Sequence, residues 1–289
     1  MTWQITRDDQ AAPAFPMLAD MMIERGTAAD WEQLHEFHYK SEGKVAGARY
    51  YRVVLGKRLV GVSVMCYPRG LLRDRHKAFP DIKPGGGETK LTNTYRYKFL
   101  NASFGLNART VNDTLFRGVG VGYRMLNLAA RMDGRKWCEI QSSMSAFNKF
   151  AHRAGFQFVQ PDPPKHKDAA EALYRRWFDA DPADQVTLLE ELEGMTGVIR
   201  ERVLTDLRAF YYKHSALEKT GKNRNNGTSR VDAMPAKELI KNLNQMAFAT
   251  PLYGVYRNPD FERELPERLP LIAFDWQKPD EPLKLENLQ

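Results

Sequence analysis

The sequence predicts an α/β (α+β) protein in which a mixed central sheet is flanked by helices and followed by a mainly helical C-terminal extension. Strand-like and helical segments alternate between residues 48 and 159, as they do when both pack into one layered core. Alternating glycines open directly into a helical pattern at residues 117–131. Strand signals become rare after residue 164. We therefore expect a sheet domain over residues 1–164 and a helical extension over residues 165–289.

The composition is typical of a globular protein. The chain has 289 residues, of which 43% are apolar and 27% charged, and this excludes wholesale disorder. A formal net charge of +7 favours an anionic partner, although many enzymes that act on small molecules are equally basic. No run of about 18 apolar residues occurs, and the polar amino terminus does not resemble a signal peptide. We expect a cytoplasmic protein without membrane contact, from a bacterium or a phage-infected cell.

Cysteine and histidine usage predicts no metal site. Cys66 and Cys138 stand in apolar, strand-like surroundings, which is typical of inert core thiols. His35 and His38 could form a metal pair, but no third ligand cluster accompanies them.

Two short helices are expected at the amino-terminal end. Residues 14–24 have apolar side chains at helical spacing and are followed by Gly26. Residues 27–37 form a second helical pattern, capped by Thr27 or Asp30. His38 and Tyr39 follow it at a turn.

A β-hairpin is expected next, because residues 48–55 and 58–67 are β-rich and flank a tight turn. Residues 68–87 form a long insertion that ends in three glycines and is either a binding lid or a solvated loop without a task. Its basic residues are Arg69, Arg73, Arg75, His76 and Lys77. Weaker strand patterns over residues 92–106 and 108–115 lead into the glycines.

The later elements follow the same periodicities. We expect a strand at 137–141, a helix at 145–154, a strand at 156–159 and helices at 169–179, 186–192, 198–214 and 236–247. A basic polar loop over residues 219–230 and a proline-rich tail from residue 258 complete the extension.

The glycine run has the properties of a phosphate cradle. Glycines let a ligand approach the backbone, and the start of a helix offers unpaired N–H groups at the positive end of the helix dipole. Arg117 adds a permanent cation. A dinucleotide-binding loop fits poorly, although Glu139 lies about 20 residues further on, because Tyr123 stands where the third glycine should be. No P-loop sequence is present.

Arg117, Gly120 and Gly122 fill the fixed positions of the acyl-CoA-binding signature of the GCN5-related N-acetyltransferase (GNAT) superfamily, which this stretch resembles. Residues 108–116 resemble the fourth strand of that fold, 137–141 its fifth strand, and 148–156 the helix that ends in a Gly-Phe pair. Short motifs at Gly26-Thr27, Trp31 and His38-Tyr39 are most similar to a branch with the phage Mu Mom DNA-modification proteins and ABC-ATPase-associated acetyltransferase domains.

The resemblance implies that acetyl-CoA, or another acyl-CoA, binds where the fourth and fifth strands splay apart. Val111 and Asn112 would hold the pantetheine arm, and the Asn112 backbone would polarise the thioester carbonyl. The pyrophosphate would lie on the loop. The implied binding residues of the loop and its flanks are Arg117, Gly118, Val119, Gly120, Val121, Gly122, Tyr123 and Asn148.

The general acid departs from the family pattern, because Ala151 occupies the usual tyrosine position and donates no proton. The alternative acids or bases are His152, Tyr123, His38 and Tyr39, each of which could instead be a packed or solvated side chain. Asp113 could serve as a base or begin the bend after the strand. Arg109 either orients an acceptor or pairs with a buried carboxylate. Asn148 either binds the ligand or caps its helix.

The resemblance thus predicts an acyl-CoA-dependent N-acyltransferase that acts by direct transfer. DNA or a modified nucleobase is the expected acceptor, with small-molecule or protein amines as the alternative. In a different class, a degenerate GNAT-fold module that lost its acid would bind nucleic acid without catalysis. A homodimer stays open.

Overall fold

The computed structural model describes residues 15–38, 45–83, 90–162, 166–219, 221–248 and 251–288. The chain forms two compact units. The first comprises Met1–Gln160 and Pro251–Gln289, and the second comprises Pro161–Thr250. The candidate site lies in the first unit.

The first unit is built on an eight-stranded mixed sheet in the order β6-β7-β5-β4-β3-β2-β1-β8. Its strands are β1 (Met21–Arg25), β2 (Arg49–Leu55), β3 (Arg58–Cys66), β4 (Phe104–Asn112), β5 (Trp137–Ser142), β6 (Gln157–Phe158), β7 (Leu252–Arg257) and β8 (Arg268–Pro270). Among the described strands, only β4 and β5 pair in parallel. The predicted fold class, a mixed and splayed sheet with flanking helices, is confirmed.

Ten α-helices accompany the sheet in the described ranges. Those of the first unit are α1 (Ala28–Leu34), α2 (Arg73–Ala78), α3 (Lys90–Ser103), α4 (Val121–Met132) and α5 (Phe150–Arg153). Those of the second unit are α6 (Lys167–Trp177), α7 (Gln185–Gly194), α8 (Gly197–His214), α9 (Ser229–Asp232) and α10 (Ala236–Ala247).

The amino-terminal region is only half as predicted. The helix predicted at 14–24 is wrong for the described residues 15–24: a 3₁₀ turn at Pro16–Leu18 is followed by β1, which pairs with β2 and buries Met21 and Ile23 at strand spacing. The predicted helix at 27–37 is present as α1 with a 3₁₀ turn after it. Thr27 and Asp30 form its capping box.

The hairpin of β2 and β3 is confirmed, and the insertion after it contains structure. Helix α2 lies within residues 68–87, while Gly85, Gly86 and Gly87 lie outside the described residues. The strand predicted at 92–106 is wrong for most of its length, because α3 occupies it before β4 begins. Helical spacing, not alternation, places Leu100 in the core and leaves Phe99 exposed.

The carboxy-terminal tail returns to the sheet and corrects the predicted extension over residues 165–289. β7 lies between β5 and β6, and β8 pairs with β1. The helical unit is therefore limited to residues 161–250. Tyr253 and Tyr256 of β7 are both buried, and Leu269 of β8 joins the same core as β1. The basic stretch 219–230 includes a 3₁₀ turn and α9 within the second unit.

The main core of the first unit lies between the sheet and α4. Met125, Leu126 and Leu128 of α4 are fully buried there. Cys66 and Cys138 are free and buried, as expected of core thiols.

A buried ion pair joins α2 to the middle of the sheet. Arg75 donates its Nε to Glu139 Oε1 at 2.5 Å and its Nη2 to Oε2 at 2.6 Å, and both side chains are fully buried. The Tyr253 hydroxyl donates to the same Oε1 at 2.5 Å. Burial, together with the Glu139 carboxylate, raises the pKa of Tyr253 far above its usual range, so the hydroxyl keeps its proton. Arg75 is therefore no part of a basic lid surface.

The buried pair predicts an unequal response to two arginine substitutions. Arg75→Gln leaves Glu139 charged and buried, so we expect the free energy of unfolding to fall by about 3–5 kcal/mol. Arg58→Gln is the matched control, because Arg58 is half exposed where it pairs with Asp113, and such pairs contribute about 0–1 kcal/mol. Chemical denaturation of the full-length variants measures both. Equal losses would contradict a stabilising role for the buried pair.

Candidate active site

The site is an opening between two neighbouring strands. β4 and β5 pair at only four positions, from Phe104 with Trp137 to Asn107 with Ile140. Beyond them β4 continues along β3 as far as Asn112, while β5 continues along β7. The last residues of β4 therefore have one edge without a strand partner. This is the splay that the sequence predicted.

The strand register decides which backbone groups face this gap. The Asp113 N–H donates to Val60 O at 2.8 Å, so the backbone N–H of Asp113 is directed towards β3. Groups alternate along a strand, so Asn112 and Thr110 direct their N–H and C=O groups towards the gap. Val111 directs its own towards β3, and its side chain is buried. Thr110, rather than Val111, thus presents its backbone beside Asn112.

A β-bulge lies where the gap begins. Val64 pairs with Arg109 and Met65 with Asn107, so Ala108 is the extra residue. The buried Asn107 amide nitrogen fixes the bulge by donating to Ser63 Oγ at 2.8 Å and to Arg109 O at 3.3 Å. Its oxygen accepts from the Thr110 hydroxyl at 3.0 Å.

The glycine loop follows β4 and ends at the first turn of α4. Gly118 and Gly120 have φ of +86° and +94°, in the left-handed region that favours glycine, and Gly120 caps the helix. The Asn112 side-chain amide has two backbone partners in the orientation that satisfies both of them. Its oxygen accepts from the Gly122 N–H at 3.2 Å, and its nitrogen donates to Val111 O at 3.2 Å. The cradle and the gap are therefore contiguous.

The tail supports the loop from behind. Arg124 donates its Nη1 to Gly120 O at 3.0 Å and its Nε to Asp275 Oδ2 at 2.8 Å. The Tyr123 ring packs edge-on against Phe274, with the centroids 5.4 Å apart. A Cβ at Gly120 would lie 2.3 Å from Arg124 Nη1. Side chains 151 positions further along the chain thus brace the loop.

Arg117 and His38 lie at the exposed entrance of the loop. Arg117 is exposed, and its Nη2 donates to Phe37 O at 3.4 Å. His38 follows Phe37 and packs edge-on against Trp31, with the centroids 5.7 Å apart. Tyr39 lies outside the described residues. The structure thus brings the segment before Tyr39 to the loop.

Asp113 and Arg109 have contacts beside the gap. Asp113 accepts from the Leu115 N–H at 3.0 Å and from Arg58 Nη2 at 2.9 Å. These two hydrogen bonds lower the pKa of Asp113, which favours the cap of the bend over a base. Arg109 donates to Ala108 O at 2.9 Å and is half-buried.

Helix α5 carries the other candidates. Asn148 Oδ1 accepts from the Phe150 N–H at 3.0 Å, which is a capping contact. Ala151 is fully buried. The His152 ring stacks on Phe158 with 4.3 Å between centroids. Desolvation lowers the pKa of His152, and the positive charge of nearby Lys149 lowers it further. The structure shows no contact of the described His152 that joins it to the loop.

Sequence reasoning missed the polar cluster at the bulge and the support from the tail. Ser63, Asn107 and Thr110 are polar residues in strand segments, which was the available signal. No local pattern indicated that Phe274 and Asp275 would pack behind the loop, because this contact is entirely tertiary.

Neither a metal-binding cluster nor a membrane-spanning helix is found among the described residues. Among the described residues, no group of three or more His, Cys, Asp or Glu side chains is placed to hold a metal ion. No helix in the described ranges is long and apolar enough to cross a membrane.

Comparisons with known proteins identify no family. No protein-family profile matches the chain, and no curated protein matches its sequence. Among solved structures, a mutant agmatine N-acetyltransferase in its apo form is similar with 15% identity and a TM-score of 0.31. The similarity covers 49% of this chain and 84% of that one. That neighbour is an acetyltransferase, but the similarity is too low to support a conclusion about activity.

The loop contacts predict a difference between two left-handed glycines. Gly120→Ala strains the left-handed backbone and displaces Arg124. Gly134 also has a left-handed φ, of +71°, but the Cβ added in Gly134→Ala meets nothing within 4 Å. We expect strain of about 1–3 kcal/mol in both. The lost Arg124 hydrogen bonds add about 1–3 kcal/mol in Gly120→Ala alone. Thermal unfolding measures the difference. If the two variants lose equal stability, Arg124 does not brace the loop.

Proposed function

We propose that this protein is an acyl-CoA-dependent N-acyltransferase. The observation that carries the proposal is the continuity between the gap beside β4 and the glycine loop at the start of α4. The Asn112 backbone faces the gap while its side chain contacts the Gly122 N–H, so one residue joins both parts. A long ligand with an amide-bearing arm and a phosphate group fits such a site.

The residues present fit the pantetheine arm and the pyrophosphate of acyl-CoA. The unpaired edge at Thr110 and Asn112 offers N–H and C=O groups to the two amides of a pantetheine arm. The first turn of α4 offers N–H groups to a pyrophosphate, and Arg117 adds charge. Gly118 leaves open space there, since a Cβ added to it meets nothing within 4 Å.

Acyl-CoA supplies an acyl carbon that passes from sulfur to the acceptor nitrogen, which loses a proton while the thiolate gains one. The chain must then donate a hydrogen bond to the carbonyl oxygen, and the N–H group of Asn112 is directed for this, while Thr110 faces the pantetheine arm. Tyr123, in the first turn of α4 beside the loop, is the acid; burial raises its pKa, which keeps the hydroxyl protonated but makes it a weaker acid than an exposed tyrosine.

The base and the acceptor-orienting group come from the remaining candidates. His38 and Tyr39 follow the segment that contacts Arg117. A lowered pKa keeps His152 neutral at pH 7 and able to accept a proton, whereas the lowered pKa of Asp113 makes it a weak base. Arg109, on the strand that borders the gap, orients the acceptor.

Binding of the donor predicts a specific effect of charge in the loop. Acetyl-CoA should raise the melting temperature of the protein, and Gly122→Asp should abolish the rise because a carboxylate repels the pyrophosphate. Gly194→Asp is the matched control, since a Cβ there meets nothing within 4 Å. No rise with wild-type protein at millimolar acetyl-CoA would overturn the proposal. Binding without acyl transfer would favour the degenerate module, consistent with the buried Ala151.

For the acceptor, we propose DNA or a modified nucleobase. The net charge of +7, the exposed Arg73 and Lys77 of α2 and the exposed Arg69 before it support an anionic acceptor. The similarity of the Thr27, Trp31 and His38 motifs to the Mom-like branch supports DNA in particular. A base in duplex DNA would have to leave the stack to reach the gap. Small-molecule and protein amines are the alternative acceptors.

Nucleoside analysis tests the acceptor. DNA from cells that express the protein should contain a nucleoside heavier by one acyl group, as detected by mass spectrometry. Cells that express Gly122→Asp should lack it, and cells with Gly194→Asp should retain it. Unmodified DNA, together with acylation of a small or protein amine by the purified protein, would replace DNA as acceptor but leave acyl transfer intact.

A further inference from the structure

Helix α3 exposes large aromatic side chains that its own packing does not require. Its buried side includes Leu100, whereas Tyr95 and Phe99 are 63% and 49% exposed. These two are four residues apart and share one face of the helix. Tyr97, on another side, is 42% exposed and its ring lies against Gly70, where an added Cβ would come within 2.2 Å.

Cations are interleaved with these rings. The Lys98 ammonium lies 5.9 Å from the Tyr95 ring centroid, and the Arg96 guanidinium lies 5.4 Å from that of Tyr97. Helix α3 contains no Asp or Glu. The side of α3 with Tyr95 and Phe99 thus combines two exposed rings with one ammonium group and no carboxylate, and a polyanion with flat bases matches both features.

We propose that the aromatic face of α3, defined by Tyr95, Lys98 and Phe99, binds single-stranded nucleic acid. Unpaired bases stack on the two rings, and the backbone phosphates contact Lys98. Stacking accepts any base, so the expected binding is insensitive to sequence and decreases with salt. Duplex DNA hides its base faces and should bind less tightly.

The position of this face links it to the candidate active site. The Phe99 and Phe104 rings are 6.3 Å apart, and Phe104 begins β4. Ala108, where the gap begins, lies four residues further, or about 13 Å along the strand. A nucleic-acid strand bound to the aromatic face of α3 therefore lies within roughly 20 Å of the gap. The role of this nucleic acid as acyl acceptor rests on the proposed acyl transfer, but its binding to α3 does not.

Fluorescence anisotropy with a labelled oligothymidylate of about 20 nucleotides tests the binding in the absence of acyl-CoA. The double variant Tyr95→Ala with Phe99→Ala should weaken binding at least about tenfold, because stacking contributes about 1–3 kcal/mol per base. Tyr95→Phe with Phe99→Tyr keeps both rings and should bind as the wild type does. Lys98→Gln should reduce the slope of log affinity against log salt by about 0.7.

A second double variant controls for the loss of exposed apolar surface. Val198→Ala with Ile199→Ala removes side chains that are 84% and 47% exposed on α8, and it should not change binding. Unchanged binding by the alanine variant of α3, or tighter binding of a duplex of equal length, would overturn the proposal. Acetyl-CoA stabilisation should persist in all these variants, so a failure of this surface is distinguishable from a failure of the donor site.

Discussion

Strand β4 pairs with β5 along only its first four residues and continues along β3 alone, and the rest of the site depends on this constraint. Backbone groups without a partner require a ligand or water. The Asn107 amide fixes the bulge at this point, so the direction of the following N–H groups is set by a buried side chain. The gap is thus built into the sheet and does not arise from a loop.

The glycine loop is held in place from the opposite side by the tail. Arg124 joins Gly120 O to Asp275. About two turns further along α4, the buried Arg131 contacts Asp260 and the carbonyl oxygens of Pro279 and Glu281. Two buried arginines therefore attach one helix to the last 30 residues. Such charge-assisted hydrogen bonds fix orientation because each buried guanidinium must keep all its partners.

Local patterns predicted much of the glycine loop and little of its surroundings. The left-handed glycines, the start of α4 and the hairpin follow from residue types that adopt few conformations. Val111 was expected beside Asn112, but alternation along β4 places Thr110 there, and the parity of a strand is known only from its partner. Arg75 was expected on a basic loop, but it is buried against Glu139. The catalytic assignments, including Tyr39, Arg109 and His152, stay predictions.

The sequence by itself determined the elements whose conformation is local: the capping box at Thr27, the turn at Gly56, the loop from Gly118 to Gly122 and the helix after it. Tertiary structure alone decided the partners of those elements. The strands at residues 252–257 and 268–270 enter the sheet far from their neighbours in the chain, and α3 is a helix because its buried face, not its composition, selects the period. Glycine conformation and capping act within a few residues, whereas strand pairing and charge burial depend on segments that the chain brings together only on folding.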